Sequence, residues 1–100
     1  MKVQEIIEKI NNHDNLYTIY DAEKEIRKLQ GDFKKVATGL NPDKHRCYGV
    51  STSVYKVEDG YVGLTGVSEL YFKTFNKGWD THTIAKEYEE FTTISYRPKD

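Results

Sequence analysis

The feature that most constrains this chain is a change in the rhythm of its apolar residues near Arg46: before it they recur at helical intervals, and after it strand-forming types take over. Val3, Ile6, Ile7 and Ile10 fall at i, i+3, i+4 and i+7, one face of a helix, with Lys2, Glu5, Glu8 and Lys9 turned outward. The spacing predicts a helix from about residue 2 to 12, followed by the turn-forming run Asn11-Asn12-His13-Asp14-Asn15. Ala22, Ile26, Leu29, Phe33, Val36 and Leu40 are then spaced 4, 3, 4, 3 and 4 apart, which predicts a second, longer helix over about 21–38. Thr18 or Asp21 can cap its start, and Gly39 ahead of Asn41-Pro42 can end it. Gly31 lies inside the series at a cost of about 1 kcal/mol relative to Ala, so a kink or break there is the alternative. At under three heptads, the apolar seam is read as packing on a sheet rather than as a coiled coil.

From Arg46 the chain is rich in Gly, Ser, Thr, Val and Tyr, and Asp59-Gly60 separates two such runs, the pattern of a β-hairpin. With Asp59-Gly60 as a two-residue turn, the register pairs Val57 with Val62, Tyr55 with Leu64 and Val54 with Thr65. Tyr55, Val57, Val62 and Leu64 then share the core face. Residues 68–78 read either as a short helix capped by Ser68 or as strand running into an irregular loop, and 87–97 reads as a closing strand ended by Pro98. One hundred residues at 37% hydrophobic content suffice for one core, so the expectation is a single α+β domain over 1–100. In it, two N-terminal helices pack on a three-stranded antiparallel sheet, with a short helix or loop before the last strand.

The candidate chemistry is thin. Zinc needs about four ligands at characteristic spacings, and His13, His45, His82 and Cys47 form no such motif. A cysteine at a strand start, with His45 nearby in sequence, reads as packing rather than as a nucleophile. The run Gly60-Tyr-Val-Gly63-Leu-Thr-Gly66 matches no phosphate loop, and strand glycines instead mark bulges or close backbone approach. The expectation is therefore no enzyme, no metal and no cofactor. No stretch approaches the roughly 20 apolar residues of a membrane span, and the N-terminus lacks the apolar centre of a signal peptide, so a cytoplasmic location is expected.

What remains is binding, and the charge distribution offers two surfaces. Residues 1–23 carry two basic and five acidic groups, 24–46 seven and three, and 47–100 six and eight, so a net charge of -1 conceals a middle segment of +4. Asp80, Glu87, Glu89 and Glu90 form the densest acidic group, and Trp79 beside them has the character of an interface anchor for a basic protein partner. The other surface is the row Lys24, Arg27, Lys28, Lys34 and Lys35, which on a nucleic-acid binder would contact phosphates. Most of the aromatic cluster Tyr71, Phe72 and Phe75 is expected in the core.

Tyr55-Lys-Val-Glu-Asp-Gly-Tyr-Val-Gly-Leu-Thr-Gly-Val-Ser-Glu-Leu-Tyr71, together with Glu87-Tyr-Glu-Glu-Phe-Thr-Thr-Ile-Ser-Tyr-Arg-Pro98, resembles small uncharacterised proteins of phages and mobile elements in Firmicutes. More loosely, an N-terminal amphipathic helix, a small antiparallel sheet and Asn76-Lys-Gly-Trp79 ahead of an acidic run are similar to a prophage anti-CRISPR inhibitor. That inhibitor blocks a type II CRISPR nuclease by presenting acidic side chains where the nuclease expects DNA. The resemblance implies an accessory protein that binds and inhibits a host protein, with Trp79, Asp80, Glu87, Glu89 and Glu90 as the contact. Nucleic-acid binding through residues 24–46 is the alternative.

Overall fold

The computed structural model describes residues 1–44, 48–70, 82–92 and 95–99. Among the described residues two helices, α1 (Val3–Asn11) and α2 (Ile19–Gln30), precede five strands: β1 (Lys34–Lys44), β2 (Tyr48–Val57), β3 (Gly60–Leu70), β4 (Ile84–Thr92) and β5 (Ser95–Pro98). The strands form one curled antiparallel sheet in the order β1-β2-β3-β4-β5, so neighbours in sequence are neighbours in space. The fold is α+β with N-terminal helices, as expected, but the sheet has five strands rather than three. No helix among the described residues is long and apolar enough to cross a membrane.

α1 forms as its periodicity predicts: Val3, Ile6 and Ile10 are buried, and α1 packs across β3 and β4. Two long-range contacts fix its ends. The Val3 amide donates to the Asp59 carboxylate at 2.8 Å, so the β2–β3 turn supplies an anion to the helix N-terminus. At the other end, the Asn11 amide pairs with the backbone of Ala85 through Nδ2 to the carbonyl (3.0 Å) and Oδ1 from the N–H (2.8 Å). A side chain thus completes hydrogen bonds that another strand would otherwise make.

α2 departs from the expected 21–38. Thr18 is its N-cap, accepting from the Asp21 amide at 3.1 Å, and the helix stops at Gln30. Gly31 adopts φ 89° and ψ -156°, a region essentially closed to side-chain-bearing residues, and it turns the chain out of the helix. The residues that extended the seam, Val36 and Leu40, lie on β1 instead. β1 is an edge strand with register shifts at 35/37, 37/40 and 40/43, left-handed Gly39 and Asn41, and Pro42. These are devices that discourage edge-to-edge pairing, and they also obscure the alternation by which a strand is recognised.

The β2–β3 hairpin turns at Glu58-Asp59 rather than Asp59-Gly60, so Val57 pairs with Gly60, Tyr55 with Val62 and Val54 with Gly63. The difference from the expected register is two residues, which leaves every side chain on its predicted face. Tyr55, Val57, Val62 and Leu64 accordingly sit in the core with Val3, Ile6, Ile10, Leu16, Ile19, Ala22, Ile26 and Ala85. Glycine at position 63 is required by the opposite face: a Cβ there would overlap the Tyr88 ring. The expected single closing strand over 87–97 is two, β4 and β5, paired through Thr92 and Ser95. Of 68–78, residues 68–70 continue β3, and 71–78 lie outside the described residues.

Candidate functional site

The α2 spacing that buries Ile19, Ala22 and Ile26 also puts Glu23 on the core face, where it is 6% exposed. A carboxylate so placed is tolerated only when its charge is answered by hydrogen bonds and counter-charge. The sheet supplies both. Lys35 and Tyr55 are register partners on β1 and β2, so their side chains rise together toward α2. The Tyr55 hydroxyl donates to Glu23 Oε1, which also receives Lys35 Nζ at 2.8 Å, and Arg27 Nη2 lies 3.9 Å from Oε2. The Phe33 ring packs on Tyr55 with centroids 4.8 Å apart, and the Arg27 guanidinium lies over Phe33 at 5.5 Å.

Burial pushes the Glu23 carboxyl up, but the hydrogen bonds from Lys35 and Tyr55 and the charges of Lys35 and Arg27 outweigh it, so the group titrates below its ordinary value. For Tyr55, burial and then the bond to the Glu23 carboxylate push the phenol well above its ordinary range. The site therefore holds one fixed negative charge against cations, with a neutral phenol between. Beside it, between the start of α2 and β1–β3, a cleft of about 440 Å³ is lined by Glu23, Lys35, Tyr20, Thr38, Ser53 and Ser68 among others.

The sequence-predicted basic row is divided by the fold. Lys24, Arg27 and Lys28 share the exposed side of α2 with Tyr20, and Lys24 Nζ lies 5.4 Å from the Tyr20 ring centroid. Lys34 and Lys35 are on β1, not on a continuation of the helix, and alternation points them to opposite faces of the sheet. Lys35, although its side chain is 44% exposed, is engaged by Glu23 and stands apart from the α2 residues of the row.

The acidic edge is divided as well. Glu87 and Glu89 lie on the helix side of β4 and face β5: Glu87 Oε2 is 3.4 Å from Lys99 Nζ and Glu89 Oε1 is 3.1 Å from Arg97 Nε. Glu90 points to the outer face, opposite Tyr96, whose ring lies 5.1 Å from that of Tyr61. Partial desolvation, then Tyr61 and Glu90, hold the Tyr96 phenol above its ordinary value. Trp79 and Asp80 lie outside the described residues, as do His45, Cys47, Tyr71, Phe72 and Phe75. Of the remaining histidines, His82 places its ring nitrogens 2.6 and 2.7 Å from the carbonyls of His13 and Thr83, and His13 Nδ1 accepts from the Asn15 amide. Among the described residues no three His, Cys, Asp or Glu side chains converge as a metal site.

Sequence reasoning missed the Glu23–Lys35–Tyr55 cluster because its members come from three elements. The one local signal was a glutamate four residues after Ile19 and three before Ile26, on the apolar stripe itself. Comparison with protein-family models, curated proteins and solved structures finds no match for this chain.

Proposed function

We propose that this chain is a non-catalytic binding protein that docks on a host protein and inhibits it, using the outer face of the β4–β5 end of the sheet. The observation that carries this reading is the half-buried Tyr61–Tyr96 pair with Glu90 alongside, on the face turned away from the helices. Tyrosine offers large, rigid contact area with a polar tip, and an acidic neighbour selects for a basic partner. By the resemblance of its sequence, the partner class to test first is a bacterial defence nuclease of the CRISPR type, and the same resemblance assigns Trp79 and Asp80 a contact role. Within the acidic group, Glu90 is assigned the larger role, since Glu87 and Glu89 are engaged by Lys99 and Arg97.

The test is complex formation with such a purified nuclease by co-elution, read alongside its DNA cleavage, for the wild type, Glu90→Arg and Tyr96→Ala. Binding and inhibition by the wild type that both variants lose support the reading, and undiminished binding by both overturns the assigned surface. One observation favours a second reading: Tyr20, Lys24, Arg27 and Lys28 form a basic, aromatic stripe on α2 suited to a nucleic-acid backbone. Salt-dependent retention on DNA or RNA that disappears in Lys24→Glu/Lys28→Glu would select it instead.

A further inference from the structure

We propose that the cleft between the start of α2 and strands β1–β3 is a binding site for a small neutral polyhydroxylated ligand of the saccharide class. Its volume of about 440 Å³ falls within the roughly 300–1,000 Å³ typical of small-molecule sites. Its lining supplies what a sugar ring needs, namely donors and acceptors in close alternation beside an apolar wall. Thr38 and Ser53 are bonded to each other at 3.0 Å, and Ser68 Oγ reaches the Gly49 carbonyl at 3.4 Å, so each of these hydroxyls keeps capacity for a further bond. Glu23 Oε1 takes both the Tyr55 hydroxyl and Lys35, whereas Oε2 has Arg27 at 3.9 Å and can accept a ligand hydroxyl at shorter range. The Lys35 ammonium has three donors, one of which is directed at Glu23.

Charge and shape narrow the class. The Glu23 carboxylate and Lys35 ammonium stand side by side within the cleft, so a free anion meets the carboxylate and a free cation meets the lysine. A neutral ligand with both donors and acceptors satisfies both without introducing an uncompensated charge. Tyr20, 64% exposed at the rim, gives a ring apolar surface on which to lie, with the buried Ile19 and Val67 backing the wall. This site faces α2 and is separated by the sheet from Tyr61, Tyr96 and Glu90, so it is independent of the partner surface proposed above.

The experiment is titration of the isotopically labelled full chain with glucose, N-acetylglucosamine and their disaccharides, following backbone amide shifts, with inorganic phosphate and an alkylammonium salt as charged probes. Saturable shifts confined to residues around Thr38, Ser53 and Ser68 with a neutral sugar are expected. Tyr20→Ala, at a largely exposed position, is expected to weaken that binding by several-fold, as is Thr38→Val, while Lys28→Ala, outside the cleft, leaves it unchanged. Absence of saturable shifts with every sugar overturns the proposal. Binding of phosphate or of the alkylammonium ion at these residues in place of sugar also overturns it, assigning the cleft to a charged ligand at Lys35 or Glu23.

Discussion

A carboxylate buried on the core face of a helix persists only while its charge is answered, and at Glu23 the answer comes from Lys35 and Tyr55. The two titrations act at opposite ends of the pH scale. Glu23 titrates below its ordinary 4.5 in the folded chain, so its contribution to stability is present above that value and is lost as pH falls through the folded value. Tyr55 titrates above its ordinary 10.0, so its contribution is present below that value and is lost as pH rises past it. Urea midpoints measured against pH are expected to fall at both ends in the wild type. Glu23→Gln should flatten the acid limb, and Tyr55→Phe the alkaline one. An unchanged acid limb in Glu23→Gln would show that other carboxylates govern it. Gly63 is a second residue-scale case, because the Tyr88 ring occupies the space of its missing Cβ. Gly63→Ala is expected to destabilise by about 1–3 kcal/mol, the usual cost of overpacking, as read by chemical denaturation.

Among the elements, those specified by local spacing were legible in the sequence, and those specified by a single backbone conformation were not. α1 follows from Val3, Ile6 and Ile10, and the core face of the β2–β3 hairpin follows from Tyr55, Val57, Val62 and Leu64 even though the turn lies one residue earlier. The boundary between α2 and β1 was hidden because Leu29, Phe33, Val36 and Leu40 keep helical spacing by coincidence, and it is Gly31 that ends the helix. Likewise the division of 87–97 into β4 and β5 carries no Gly, Pro, Asn or Asp between Thr92 and Ser95 to announce it. Of the two predicted surfaces, Lys24, Arg27 and Lys28 do share one side of α2, whereas the partners of Lys35, Glu87 and Glu89 depend on pairings no local pattern reveals. If Gly31 is what separates helix from strand, Gly31→Ala should cost about 1–3 kcal/mol although the space around it is open, because only the backbone conformation penalises the change. Its helical signal by circular dichroism should also rise, since alanine removes the main local obstacle to continuing α2. A stability equal to wild type would show that the turn does not need glycine.

At the scale of the whole molecule, the sheet is a simple meander, and what closes it into a core is a helix distant in sequence from the strands it covers. α1 lies on β3 and β4, tied to the chain at Asp59 and at Ala85, so its docking closes loops spanning most of the sequence. Ile6 and Ile10 are fully buried at that contact. Truncating a buried Ile to Ala removes about 2–5 kcal/mol, against a total stability of about 5–15 kcal/mol for a domain of ordinary size. The two positions are i, i+4 neighbours facing the same surface, so the cavities they leave merge and the losses need not add. Ile6→Ala alone is therefore expected to keep a cooperative urea transition at a lower midpoint. Ile6→Ala/Ile10→Ala is expected to lose the transition, with dye-accessible apolar surface around Val62, Leu64 and Ala85 already exposed in the absence of denaturant. If the double variant still unfolds cooperatively, with a midpoint close to that of the single one, the sheet is held by its own strand pairing and α1 is an accessory to the core rather than its closure.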